Sequence, residues 1–391
     1  MSRPKILLGI TADISFRLLE GFPEYLVSQG WDVHVVSSPG PSLTRLGMLD
    51  GITAHSLPMV RTPMPLKDII ALVRWVRLLK RIRPDLISAG TPKAGLLGSV
   101  AGAIARVPQR IYLLRGLRLE TASGLLFIVL RFAEKIAVAA ATQVVAVSPS
   151  LRAKALSLNI VSPDKIVVIG RGSSNGVDVA AFESGNFPVT QIRRLSDGLG
   201  LLAGVPVLGF VGRLTIDKGL GVLAQSRAIL SRNGIAHQLL VIGSADSSPV
   251  DGQIGLDPQL PAATYTGHVN DPEKYFQLID VLCLPTFREG FPNVVLEAGA
   301  ARVPTVTTTA TGAVDSVVDG QTGLISVVGS PASLAQCLAT LLVDPALRSR
   351  MGEAAHSHVI AHFSRTTVWS STEQFYRNCV LRGLPNGESQ G

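Results

Sequence analysis

Two glutamates with seven residues between them close the run Glu289-Gly290-Phe291-Pro292-Asn293-Val294-Val295-Leu296-Glu297. The apolar residues 281–285 ahead of them predict a buried strand, and residues 294–300 predict a helix. A strand, a Gly-Pro turn and a helix start leave backbone N–H groups pointing outward, where they attract phosphate. One carboxylate then lies at the helix mouth and the other roughly two turns inside it. Such a pair can grip hydroxyls on either side of a diphosphate, the layout of a nucleotide-sugar. A second cluster, Val211-Gly212-Arg213-Leu214-Thr215-Ile216-Asp217-Lys218-Gly219, follows a strand candidate at 207–211. Its two cations, with glycines that permit close backbone approach, suit the same diphosphate. Breaking a sugar–phosphate bond builds negative charge on the diphosphate, which many transferases meet with a metal held by Asp-x-Asp. This sequence has no Asp-x-Asp. Arg213, Lys218 and the helix start at Gly290 to Val294 are expected to act instead as fixed positive electrostatics, without a cofactor or metal.

The elements that must hold these residues are legible as two series of alternating strands and helices. The first half has strand candidates at 5–10, 33–37, 52–57, 86–89, 110–114, 144–148 and 165–169, with helical spacing at 66–83 and 124–141 between them. The second has them at 207–211, 238–242, 264–266, 281–285, 305–308 and 324–326. This alternation argues for an α/β chain with two parallel, doubly wound sheets. Ligands belong beyond the C-terminal ends of such strands, where the motifs fall. The polar, Gly-containing stretch 172–186 marks the boundary, giving domains at 1–185 and 186–363, with 364–391 as a last helix.

The resemblance carried by these residues is to the retaining glycosyltransferases of the GT-B fold, the family 4 or group 1 type. The run from Glu289 to Ala298 resembles that family's E-x7-E motif, and Gly212-Arg213-Leu214 with Lys218-Gly219 resembles its phosphate loop. Asn175-Gly176-Val177-Asp178 is similar to the segment closing its N-terminal domain. Asp13-Ile14-Ser15-Phe16-Arg17, Thr91-Pro92-Lys93-Ala94-Gly95 and Arg115-Gly116-Leu117-Arg118 look like motifs of a subgroup that assembles bacterial capsule, exopolysaccharide and O-antigen on lipid carriers. The resemblance spans roughly residues 5–380. It implies two Rossmann-like domains facing a central cleft, with the last helix crossing back to the N-terminal domain. It also implies a UDP-sugar donor, an N-acetylated hexosamine or a related sugar, and a polyprenyl-diphosphate-linked saccharide acceptor. Glu297 would accept from the ribose hydroxyls and Glu289 from a hydroxyl of the transferred sugar. Gly290, Phe291, Pro292, Asn293 and Val294 would border the diphosphate, and Val269, after Gly267-His268, the nucleobase. His268 itself reads as a surface loop residue.

Across the chain, Arg17 and Lys93 are expected on the acceptor side, Lys93 in a turn suited to a second phosphate. Arg115 departs from the family, in which many members carry His there. It can bind but cannot serve as a neutral base, so the departing phosphate is the expected proton acceptor. A UDP-sugar 2-epimerase and a non-catalytic nucleotide-sugar-binding subunit remain as alternatives.

Composition bounds the setting. With 391 residues, 47% of them hydrophobic, the chain has material for two ordinary domains. Three scattered cysteines make a disulfide framework or zinc site improbable and fit a reducing compartment. The apolar run 6–10 is too short for a secretory signal, and the uncharged stretch 321–343 is broken by Gly323, Gly329 and Pro331, so no span is expected. Residues 1–185 carry 22 basic and 12 acidic side chains, net +10, and residues 186–391 carry 14 and 16, net −2. The basic half is drawn to anionic partners. With aromatics at 5% and no nucleic-acid motif, an anionic membrane surface fits better than RNA or DNA. The protein is therefore expected in the cytoplasm, peripheral on the inner face of the membrane. Residues 66–83 combine Leu66, Ile69, Ile70 and Val73 with Lys67, Arg74, Arg77, Lys80 and Arg81. They read either as an interfacial helix on anionic lipid or as an ordinary helix packed on the sheet. The apolar run from Leu125 to Leu130 is open in the same way.

Overall fold

The structure, a computed structural model, describes residues 3–60, 62, 64–244 and 263–383. They divide into two compact units, one of Met1–Asn175 with Val368–Gly391 and one of Gly176–Thr367. The division falls inside the polar stretch 172–186.

The first unit is built on seven parallel strands: β1 (Lys5–Gly9), β2 (Asp32–Ser37), β3 (Ile52–Ser56), β4 (Leu86–Gly90), β5 (Gln109–Leu114), β6 (Gln143–Ala146) and β7 (Ile166–Val167). Their order is β3-β2-β1-β4-β5-β6-β7. Strand succession reverses between β1 and β4, so the loops after those two strands diverge and leave a crevice at their C-terminal ends. Every residue of β4 is buried, as a strand covered on both faces must be. One face packs Trp75, Leu79, Leu97 and Ala101 from the helices Pro65–Ile82 and Pro92–Ala105. The other packs Phe22, Leu26 and Trp31 with Tyr376 of the C-terminal helix Arg365–Gly383. Polar bonds fasten that helix: Trp31 Nε1 donates to Glu373 Oε1 (2.9 Å), Trp369 Nε1 donates to Asn175 Oδ1 (2.8 Å), and the Tyr376 and Ser88 hydroxyls lie 2.7 Å apart. The last helix thus returns to the first sheet.

The second unit has six parallel strands: β8 (Val207–Val211), β9 (Gln238–Ile242), β10 (Ala263–Gly267), β11 (Val281–Cys283), β12 (Thr305–Thr308) and β13 (Gly323–Ser326). Their order is β10-β9-β8-β11-β12-β13, with the reversal between β8 and β11. Phe210, Leu223, Val241, Leu338 and Leu341 form its core. All the strands expected from the sequence are present, with no end moved by more than two residues. The candidate at 281–285 stops at Cys283, because Pro285 has no N–H to give a ladder.

Candidate functional site

The two loops at the β8/β11 reversal carry most of the residues singled out above. From β8 the chain passes Gly212, whose N–H still bonds Ile242 O (2.9 Å), and exposed Arg213. It then makes a single 3-10 turn, Ile216–Lys218, which ends at Gly219. Gly219 has φ +74, and a Cβ there would lie 1.9 Å from the Pro285 carbonyl oxygen. Only glycine lets the two loops approach this closely. The helix Leu220–Arg232 starts at once behind it.

From β11 the chain runs through Pro285, Thr286, Phe287 and Arg288 to Glu289. Three bonds to the first loop hold it. The Phe287 N–H donates to Asp217 O (2.9 Å). The Thr286 hydroxyl sits 3.1 Å from Asp217 O and 3.0 Å from Arg288 O and donates between them. Arg288 Nη2 donates to Asp217 Oδ2 (3.1 Å). A third loop supports Glu289 from behind, its N–H donating to Thr311 O (2.8 Å). The adjoining Gly312, at φ +75, has the Glu289 and Gly290 carbonyl oxygens 2.5 and 2.4 Å from where a Cβ would be. The result brings Lys218 and Glu289 together as an ion pair, 16% and 14% exposed.

The helix after the glutamate turn is Asn293–Ala300, with Pro292 at its N-cap and no capping side chain from it. Val295 N–H bonds back to Pro292 O (3.1 Å), and the N–H groups of Asn293 and Val294 are orphan donors of a helix start. Glu297 is the fifth helical residue, just over one turn inside rather than two, because the helix begins at Asn293 and not at the Gly-Phe turn. Phe291 is buried, its ring 5.3 Å from that of Phe363. The Asn293 side-chain oxygen is buried with no hydrogen-bond partner. Val269 follows β10 and is half-buried, and His268 is exposed beside it.

Charge in this site is balanced by geometry. Burial works to raise the Asp217 pKa, but the Thr215 hydroxyl (2.6 Å) and the Arg288, Lys218 and Arg213 charges outweigh it and hold the carboxyl below its usual range. The patch combines exposed Arg213, an engaged Lys218 and open helix N–H groups, with one carboxylate at the mouth and one a turn deeper. It can take an anionic ligand carrying hydroxyls at both ends.

The other candidates lie in the first unit, Arg17 after β1, Lys93 after β4 and Arg115 after β5. Arg17 is exposed on the 3-10 segment Asp13–Leu18. Asp13 caps the short helix Pro41–Leu46 through the N–H groups of Leu43 (3.0 Å) and Ser42 (3.3 Å). Thr91 has φ 74, strained for a threonine. Its hydroxyl accepts from Thr11 N–H (3.1 Å), and the Thr11 hydroxyl accepts from Ala94 N–H at the start of Pro92–Ala105 (3.1 Å). Lys93 Nζ is committed to Asp68 Oδ1 and to Thr62 O, both at 2.6 Å. Arg115 donates to Ser174 O (3.1 Å) and reaches Leu18 O (3.5 Å). Burial pushes its pKa down to about 10, which leaves it protonated at neutral pH. Arg115 thus braces two backbone segments. Asn175 helps by donating to Glu20 O (3.0 Å).

Asp217, Arg288, Thr286, Gly312, Thr11 and Asp68 also build these sites, and local spacing assigns none of them a role. One readable signal was there: Asp217-Lys218 and Arg288-Glu289 are adjacent acid–base pairs of opposite order. The role of Gly312 depends on a loop from a third strand, which spacing does not reveal.

The family described as "Glycosyl transferases group 1" matches residues 205–344, and "Glycosyl transferase 4-like domain" matches residues 20–172. A capsular polysaccharide biosynthesis glycosyltransferase, CapM of Staphylococcus aureus, is 37% identical over 395 residues, covering 100% of both chains. Among solved structures, a glycosyltransferase from Rickettsia africae superposes with a TM-score of 0.79 at 19% identity, covering 97% of this chain and 99% of that one. The Anabaena protein Alr3699/HepE in complex with UDP-glucose gives 0.76 at 20% identity, covering 96% and 99%.

Proposed function

This chain belongs to the family of group 1 glycosyl transferases, and we propose that it transfers an N-acetylated hexosamine or a related sugar from a UDP-sugar to a lipid-linked saccharide in cell-surface polysaccharide assembly. The observation that carries the donor half is the meeting of Lys218 and Glu289 across the β8/β11 reversal, beside Arg213 and the open N-terminus of Asn293–Ala300. The diphosphate lies against Arg213, Lys218 and those N–H groups. Glu289 accepts from a sugar hydroxyl and Glu297 from the ribose. The buried, unpartnered oxygen of Asn293 supports a polar ligand at this helix start. A protein of the same fold bound to UDP-glucose supports uracil as the base. The full-length likeness to a capsular transferase supports the pathway class.

The reaction retains the anomeric configuration. The C1–O bond to the diphosphate breaks as the acceptor hydroxyl oxygen bonds C1 from the same face, and the hydroxyl proton passes to the departing phosphate oxygen. Arg213 and Lys218 stabilise the growing charge, each by about 2–4 kcal/mol if it acts as one oxyanion donor does. They take the role a metal plays elsewhere, so activity should survive EDTA. Arg115 braces the backbone and is not the proton acceptor.

The acceptor reaches the enzyme at an anionic membrane surface. Among the described residues no helix is long and apolar enough to cross a membrane. The helices Pro65–Ile82, Pro92–Ala105 and Gly124–Ala140 lie side by side on the first unit. Pro65–Ile82 buries Ala71, Trp75, Leu79 and Ile82 but also exposes Leu66 (79%), Ile69 and Ile70. A helix that only covered a sheet would need one apolar face, not two. Gly124–Ala140 exposes Leu125 (75%), Ile128 and Phe132 (65%) and buries only Ala137 and Val138. Exposed Lys67, Arg74, Arg77, Lys80 and Arg81 flank this patch, which supports docking on acidic lipid.

A thermal-shift screen across UDP-, GDP- and TDP-sugars tests the donor half. A ligand at a hundred times its Kd adds about 2.7 kcal/mol of stability, so the UDP-sugar should raise Tm clearly. If no nucleotide-sugar moves Tm, the proposal fails.

A further inference from the structure

Two consecutive residues on the β8 loop meet two consecutive residues on the β11 loop with their charges in opposite order. Asp217 pairs with Arg288 and Lys218 with Glu289. Only the second rung faces the ligand in the reading above. We propose that the first rung, Asp217–Arg288, consists of positioning residues that set the register of the two loops, so that Lys218 and Glu289 meet the diphosphate and sugar together. This rests on the donor site of the proposed function and assigns it a further pair.

The geometry singles out this rung. Arg288 Nη2 lies 3.1 Å from Asp217 Oδ2, each side chain 24% exposed. The other Asp217 oxygen accepts from the Thr215 hydroxyl at 2.6 Å, and the Asp217 carbonyl accepts from Phe287 N–H. Asp217 is therefore tied through both side-chain oxygens and its backbone. Slipping either loop by one residue would set Asp217 against Glu289 or Lys218 against Arg288, like charge against like. The ladder admits one register for the same reason that like charges oppose each other across a strand pair. Behind it, Gly219 lets the backbones touch without fixing which residues face each other. The charge order supplies that choice.

The test is a double-mutant cycle on UDP affinity by titration calorimetry, with Asp217→Asn, Arg288→Gln and both together. Each single variant should weaken UDP binding about tenfold, and the double should be no weaker than the worse single, as for residues that act as one unit. Arg288→Lys, which keeps the charge, should stay within about threefold of wild type, a rescue that a merely structural arginine bonding through its plane would not show. Thermal unfolding checks that each variant is folded. Losses that add, singles with wild-type affinity, or an Arg288→Lys as weak as Arg288→Gln would overturn the assignment. Wild-type protein that binds no UDP would instead remove the donor site itself, and this pair's role with it.

Discussion

Replacing Lys218 with methionine keeps the side-chain length and removes the charge. If Lys218 stabilises the diphosphate like one oxyanion donor, the transition state loses about 2–4 kcal/mol. That is a fall in kcat of roughly 30- to 900-fold. The same change deprives Glu289 of its partner. A buried acceptor left unpaired costs about 1–3 kcal/mol, and the 16% and 14% exposure of the pair puts the cost in the lower half of that range. A loss of 1 kcal/mol moves Tm by about 2–4 °C in a domain of this size. The variant should therefore stay folded at the assay temperature, and the two effects can be read separately. Initial rates of sugar transfer at saturating donor give kcat, and a melting curve gives the stability term. A kcat within threefold of wild type, in protein that melts within a few degrees of it, would refute the electrostatic role of Lys218.

Gly219→Ala should lower Tm and UDP affinity, because a Cβ would sit 1.9 Å from Pro285 O and the positive φ alone costs about 1–2 kcal/mol; Gly221→Ala, with nothing within 4 Å of its Cβ, should be neutral or stabilising. In flotation assays the protein should rise with acidic liposomes and not with neutral ones, and Leu125→Asp combined with Phe132→Asp should abolish it; flotation indifferent to lipid charge would sink the membrane proposal. Glu134, bonded to the Tyr112 hydroxyl (2.6 Å), is pushed up to about 7 by burial. An acid whose folded pKa is raised holds its proton longer in the native state, so stability falls as pH rises from about 4.5 through 7. Discounted for partial exposure, the fall is about 1–2 kcal/mol. Glu134→Gln should flatten that pH dependence in urea unfolding, and an unchanged slope would refute it.

Strands were legible because a parallel sheet covered on both faces writes itself as short apolar runs, and residues 207–211, 238–242 and 305–308 appear with the expected ends. The two loops at the β8/β11 reversal were legible because glycines, cations and carboxylates sit at fixed offsets beside those runs. Spacing did not reveal what each cation faces. Lys93 read as an open phosphate contact and is bonded to Asp68. Arg115 read as a sugar-side residue and bonds the carbonyl of Ser174, 59 positions away. Long-range partners of this kind depend on which strand ends lie together, and that follows from sheet order rather than from local pattern. The exposed second face of Pro65–Ile82 was present in the sequence, but burial was needed to show that the core uses only Ala71, Trp75, Leu79 and Ile82.

The most direct test of the account is transfer itself, followed with a labelled UDP-sugar and a polyprenyl-diphosphate-linked saccharide in the presence of EDTA. The wild-type protein should form product with the anomeric configuration retained, and Glu289→Ala should form none while remaining folded. An inverted product, a strict metal requirement, or undiminished transfer by Glu289→Ala would contradict it.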